Sequence, residues 1–288
     1  MMWNRIIWLF ILFLLGRHLC FPTEKNDGNS NVSVPVTSKY LELADSADYF
    51  IALENWNRAE EVIIKALRLE PANFTNSLLL ANLGLVQTQK GEYSKALESL
   101  SSGLSLAPSS TVLLNNRAHT YLLIDSLKSA KNDLDKSLAI DSIQEWTLQT
   151  RAFLYLNEKE FSNAVTLFEK IRREFPNNSS VYSGLAAIAE SNGEIEKAEE
   201  NYKEALAINP EDEEAREAYI FLLIDSDHFT EARSAIKDAL IQNPENPMYY
   251  LLRGYLHKLN YRYDEAQADK KIAISKGIEP AYASQFIP

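Results

Sequence analysis

NSLLLANLGLVQTQKGEYSKALESLSSGLSLAP, residues 76–108, is one complete turn of a pattern that runs through most of this chain. Its centre is Ala96, which belongs to the series Ala59, Ala96, Ala130, Ala164, Ala198, Ala232 and Ala266. The first gap is 37 residues and every later one is 34. A side chain held small at a fixed period marks a place where two backbones come close once per repeated unit. A period of this length belongs to stacked helical hairpins, each touching only its neighbours.

The other places of the unit keep the same step. Twelve residues before each alanine stands Ala47, Gly84, Ala118, Ala152, Ala186, Ile220 or Gly254, and seven residues after it Ala66, Gly103, Ser137, Ile171, Ala205, Ala239 or Ala273. Three residues before it is a bulky apolar group: Trp56, Tyr93, Leu127, Phe161, Ile195, Phe229 or Tyr263. Twelve after it, proline recurs as Pro71, Pro108, Pro176, Pro210 and Pro244, with Ser142 and Ile278 as exceptions. Proline cannot continue a helix and pushes its predecessor out of helical geometry, so these are defined stops. Between stops the apolar residues keep helical spacing, as in Ile188, Ile195, Ala198, Tyr202 and Ala205, interrupted by a turn at Asn192-Gly193.

The unit resembles the tetratricopeptide repeat, carried by Asn82-Leu83-Gly84, Gly91, Tyr93, Ala96, Leu100 and Pro108. Leu185-Ala186, Gly193, Ala198, Tyr202, Ala205 and Pro210 carry it again. The resemblance covers roughly residues 40–278 and departs locally. Ile220 replaces a small residue, the third unit lacks its proline, and three extra residues lie between Pro71 and Leu80, read as a longer loop or an extended first turn. It implies an all-α fold, a right-handed superhelical solenoid of about seven helix-turn-helix repeats. Their expected bounds are 40–73, 77–110, 111–144, 145–178, 179–212, 213–246 and 247–278 within a domain of 39–278, followed by a cap or tail at 279–288.

The family lines a concave groove with the first helix of each unit. Mapped onto this chain, the implied binding residues are Asn82, Asn115, Asn116, His119, Trp146, Gln149, Phe153, Phe221 and Tyr255. Amides can pair with the backbone of an extended peptide and aromatic rings supply anchoring area. Each has a plainer reading: Trp146 and Phe153 as cover for the core, Asn115 and Asn116 as spacers between helices, His119 as a satisfied polar residue. Arg117, Arg151 and Arg253 share one place in their units and read as structural ion-pair partners, with Asp133 and Asp269 available on second helices. The lysine places of the family's chaperone-binding carboxylate clamp hold Ala81, Val112, Trp146 and Ser180, so that clamp is not expected.

The first twenty residues are of another kind. Arg5 precedes the apolar run Ile6–Leu15, and Gly16-Arg17-His18-Leu19-Cys20 turns polar. A basic start with a short apolar stretch reads as a signal peptide over 1–20, the alternative being an uncleaved anchor. Cys20, the only cysteine, sits where bacterial lipoproteins carry their lipidated residue and is the lipidation candidate. Leu19 and Arg17 depart from that motif, and the alternative is an unused thiol in a discarded signal. Residues 21–38 are polar and read as a disordered linker. The expected location is the periplasm or outer-membrane surface, and the chain resembles an exported bacterial repeat protein or lipoprotein.

Chemistry is sparsely signalled. The chain has 29 Lys and Arg against 40 Asp and Glu, a formal net charge of −11, which disfavours a nucleic-acid partner. Its four histidines form no metal-binding pair, and no phosphate loop or nucleophile elbow occurs, so no catalytic residue, metal or cofactor is expected. A lone cysteine excludes internal disulfides. The reading is a non-enzymatic scaffold of the cell envelope that holds a protein or peptide in its groove and meets the membrane only through an N-terminal anchor. The alternatives are a glycan-handling accessory lipoprotein and a structural spacer in an envelope assembly.

Overall fold

The computed structural model describes residues 37–288. The signal region, Cys20 and nearly all of the linker lie outside the described residues. Close backbone contacts divide the chain into two units that meet between Leu154 and Tyr155, and each is treated by itself.

Residues 37–154 hold three hairpins and most of a further helix. They are α1 (Ser38–Ala52) with α2 (Trp56–Leu69), α3 (Asn76–Gln89) with α4 (Tyr93–Leu106), and α5 (Thr111–Leu123) with α6 (Leu127–Ile140), followed by α7 (Glu145–Asn157). From residue 155 onward come α8 (Phe161–Glu174), α9 (Ser180–Asn192) with α10 (Ile195–Ile208), and α11 (Glu213–Asp225) with α12 (Phe229–Gln242). The series ends with α13 (Pro247–Leu259), α14 (Tyr263–Ser275) and the short α15 (Pro280–Phe286). No strand occurs among the described residues.

The alanine ladder is where the hairpins close. All seven ladder alanines are at most 1% exposed. A Cβ added to Gly84 would lie 2.4 Å from the Leu100 side chain, and one on Gly103 2.7 Å from Leu113, so neither place has room for another carbon. Ile220 shows what a larger residue does there. It is fully buried against Ala232 and Ile236, and α11 and α12 approach each other much less extensively than do α1–α2, α3–α4, α5–α6, α9–α10 and α13–α14. The isoleucine takes the space that elsewhere belongs to the neighbouring backbone.

Stops and starts follow the pattern. α2, α4, α8, α10 and α12 each end two residues before a recurring proline. The unit without one ends its helix α6 at the equivalent place, where Asp141 Oδ1 accepts from the Ile143 amide and Gln144 Nε2 donates to the Asp141 carbonyl. Thr37, Ser110, Asp212 and Asn246 accept from amides of the first helical turn that follows them, satisfying donors the helix cannot. The extra residues near Asn73 lengthen the loop and also bring the first turn of α3 one residue forward, to 14 residues against 13 for α5. Asn73 Oδ1 accepts from the Thr75 amide, and Asn76 Nδ2 donates to the Glu70 carbonyl before α3 begins.

One regularity escapes residue identity. Glu54, Gly91, Asp125, Lys159, Gly193, Asp227 and Tyr261 all have positive φ, between 54° and 75°, at the turn inside each hairpin. Five of the seven are not glycine, and each of those holds a left-handed conformation that costs roughly 1 kcal/mol.

First helices of successive hairpins (α1 and α3, α3 and α5, α11 and α13) run close to one another, whereas second helices do not. The first-helix side is therefore the inner layer of each unit. At the end of the chain α15 turns back on α13 and α14, burying Ala283, Phe286 and Ile287 against Leu251, Ala266 and Ala273.

Candidate functional site

In residues 37–154 the inner layer is cross-linked by polar side chains. Asn82 Nδ2 donates to Asp48 Oδ1 (2.9 Å), Thr88 and Thr120 share a hydroxyl contact of 2.8 Å, and Asn115 Nδ2 donates to Gln144 Oε1 (2.9 Å). Each joins one hairpin to the next, and Asn82, Asn115 and Asn116 are all buried. The amides read from the sequence as peptide contacts thus stand in the wall itself, Asn82 and Asn115 engaged with their own neighbours. Phe153 is fully buried and shapes the wall from behind. His119 is 3% exposed and meets the Trp146 ring edge-on, with centroids 6.3 Å apart. Trp146 and Gln149 are the two members of this set that remain half-buried, on one face of α7. An indole fixed by a neighbouring ring at the lip of a polar wall is a rigid anchor that loses little entropy on contact.

In residues 155–288 the structure brings Phe221 and Tyr255 together. Their rings stack in parallel, 6.3 Å apart and 6° from coplanar. The face they form is already occupied. Phe286 of α15 meets both rings edge-on, at 6.2 and 5.5 Å, and Lys258 Nζ donates to the Phe286 carbonyl (2.9 Å). A partner reaching these two rings would have to displace α15.

The three arginines are structural. Arg117 makes a two-pronged contact with the buried carboxylate of Asp133 (2.7 and 2.9 Å), and Arg253 does the same with Asp269 (2.9 and 2.6 Å). Arg151 finds Leu167 where the other two find aspartate, and it reaches back to Asp135 on α6 instead (2.6 Å). Burial of Asp133 and Asp269 is tolerable only because a guanidinium matches their geometry.

Two carboxylates in the second unit are set apart from the many glutamates there by their surroundings. Glu190 on α9 accepts from the buried Tyr202 hydroxyl (2.7 Å), and burial raises its pKa to about 7, opposed by that hydrogen bond and aided by Asp225. Glu217 on α11 accepts from Asn246 Nδ2 (2.8 Å), and burial again raises its pKa to about 7, with Glu214 and Glu213 adding repulsion. Among the described residues neither faces a cation in an ion pair. Among the described residues no group of three His, Cys, Asp or Glu could hold a metal, and no helix is long and apolar enough to cross a membrane.

With repeat geometry and inner faces established, comparison with known proteins agrees. The family profile described as tetratricopeptide repeat matches residues 148–252. A tetratricopeptide repeat protein from Parabacteroides merdae is 26% identical, with a TM-score of 0.73 over 87% of this chain and 98% of that one. The structure of Pseudomonas aeruginosa pilF is 20% identical, with a TM-score of 0.60 over 73% and 96% of the two chains, a likeness of fold. Tetratricopeptide repeat protein 21A of Mus musculus is 23% identical over 142 residues, 47% of this chain but only 11% of the mouse protein. Residues 148–252 carry the signature of the tetratricopeptide repeat family, and the described residues have the all-α fold of its solenoids. That family's members are in general non-enzymatic scaffolds for protein–protein interaction.

The raised carboxylates set a pH dependence. Glutamate ordinarily titrates near 4.5, so in the folded chain Glu190 and Glu217 hold protons that the unfolded chain has released. Their contribution is complete below about pH 4.5 and is lost as pH rises through about 7. Urea unfolding of residues 155–288 within the whole chain should be harder at pH 5.5 than at pH 8, by on the order of 4 kcal/mol, half from each carboxylate. The double variant E190Q/E217Q should flatten that difference; an undiminished slope would refute the assignment.

Proposed function

We propose that this chain is a non-enzymatic scaffold that holds a protein or peptide on the inner face of residues 37–154, with Trp146 and Gln149 as its principal contacts. The single observation that supports this best is the position of Trp146, braced by His119 and half-buried on a wall where Asn82 and Asn115 are already hydrogen-bonded to neighbouring hairpins. Asn82, Asn115, Asn116 and Phe153 then act indirectly, by fixing the spacing of the helices that present the indole. The corresponding face around Phe221 and Tyr255 is open to a partner only when α15 leaves.

The proposed setting is the cell envelope. That part rests on sequence alone: Arg5, the apolar run Ile6–Leu15, and Cys20 as a lipid-bearing residue. The polar stretch after Cys20 would then tether the repeats at a distance from the membrane.

Affinity capture from native envelopes, followed by mass spectrometry, tests the contact assignment. W146A/Q149A should lose at least about tenfold in recovered partner, as expected for removal of an aromatic hot spot, while its circular dichroism stays that of the wild type. Recovery unchanged in that variant would remove the inner face as the binding surface. Metabolic labelling with radioactive palmitate should mark the wild type and leave C20S unmarked; no label on either contradicts the anchor.

A further inference from the structure

A cleft of about 440 Å³ lies on the second unit, between α12 and α13 and beside the turn into α14. It does not include the inner-face aromatics. Its floor is apolar: Ile236 and Leu256 are almost fully buried, Leu240 is half-buried, and Ile241 stands at the rim 70% exposed. Four cationic side chains line it, Arg233 and Lys237 from α12, Arg253 from α13, and Arg262 at the turn.

The two walls differ. Arg253 is held by Asp269 and Arg262 by Glu265, at 2.6 and 2.7 Å. Arg233 and Lys237 make no ion pair or hydrogen bond among the described residues, and both are exposed. They are one helical turn apart, a like-charge spacing that weakens a helix by a few tenths of a kcal/mol unless an anion intervenes. Ile241 continues the same stripe one turn further on. His257 lies between the walls, and burial, then the nearby Arg262, holds its pKa below the usual histidine value, so it stays a neutral hydrogen-bonding group.

We propose that this cleft is a second binding site, for an acidic segment of a partner protein that carries a bulky apolar side chain beside its carboxylates. The carboxylates would bridge Arg233 and Lys237, and the apolar group would cover Leu240, Ile241 and Leu256. A simple inorganic anion would leave that floor uncovered. A nucleic acid would have to bring its phosphates against a chain of net charge −11. That same acidity repels an acidic segment from most of the surface and favours its collection at this cleft, where two cations are surplus.

The probe is a fluorescein-labelled peptide alternating Asp-Glu pairs with Leu and Phe, added to the whole chain and followed by anisotropy and by the His257 ring signals in NMR. Binding should weaken about tenfold or more in R233E/K237E, as for loss of a desolvated charge contact. It should be unchanged in K128E/K136E, which alters exposed lysines of α6, and the His257 signals should move in the wild type. Raising salt from about 50 to about 500 mM should weaken it as well. Absence of binding, equal binding by R233E/K237E, or loss of binding in W146A/Q149A with His257 unmoved would each overturn the proposal. Because that last variant reports on the inner face, failure of either site is read separately.

Discussion

Two helices of a hairpin come together only as closely as the side chains between them allow. In this chain that limit is a methyl group, or nothing at all, at the ladder of Ala59 through Ala266 and at Gly84 and Gly103. The remaining features are consequences. Close approach brings the bulky partners (Leu100, Leu134, Phe168, Tyr202) into complete burial, and they carry the apolar stabilisation. It also aligns first helices with first helices, which creates an inner face at all. Ile220 is the natural exception, and the looser α11–α12 pair beside it shows that backbone spacing follows side-chain size.

On that frame, polar groups set the spacing between hairpins and charged groups secure individual helices. Asp48 with Asn82, Thr88 with Thr120, and Gln144 with Asn115 tie neighbouring hairpins at the inner layer. Because Asn82, Thr88, Asn115 and Thr120 are buried, a mispaired neighbour would leave an unsatisfied group costing about 1–3 kcal/mol, more than a well-made bond returns. Such ties choose one stacking over others. The Arg117–Asp133 and Arg253–Asp269 pairs act inside single hairpins, where a buried carboxylate needs its cation.

Much of this was legible in the sequence, for identifiable reasons. Small residues, prolines and helical spacing repeat by residue type, so the hairpins could be located to within a few residues. Turn conformation was less visible: three of the seven left-handed residues, Glu54, Lys159 and Tyr261, are types that rarely adopt it, and only their common period betrays them. The pairing of Arg151 with Asp135 was hidden because Leu167 occupies the expected place. Site residues were the least legible, since position in a repeat says which side of a helix a residue faces but not what already covers it. Phe153 is sealed, Phe221 and Tyr255 are covered by a segment thirty to sixty residues further along, and the cationic cleft joins residues from three elements.

The whole architecture depends on the tightness of the ladder. The most direct measurement is equilibrium urea unfolding of the whole chain with Ala130→Leu, compared with Lys128→Leu on the exposed side of the same helix. Overpacking at Ala130 should cost about 1–3 kcal/mol, with the Lys128 variant within about 0.5 kcal/mol of wild type. Equal stability of the two variants would mean that α5 and α6 do not meet at Ala130, and that the repeat is held together in some other way.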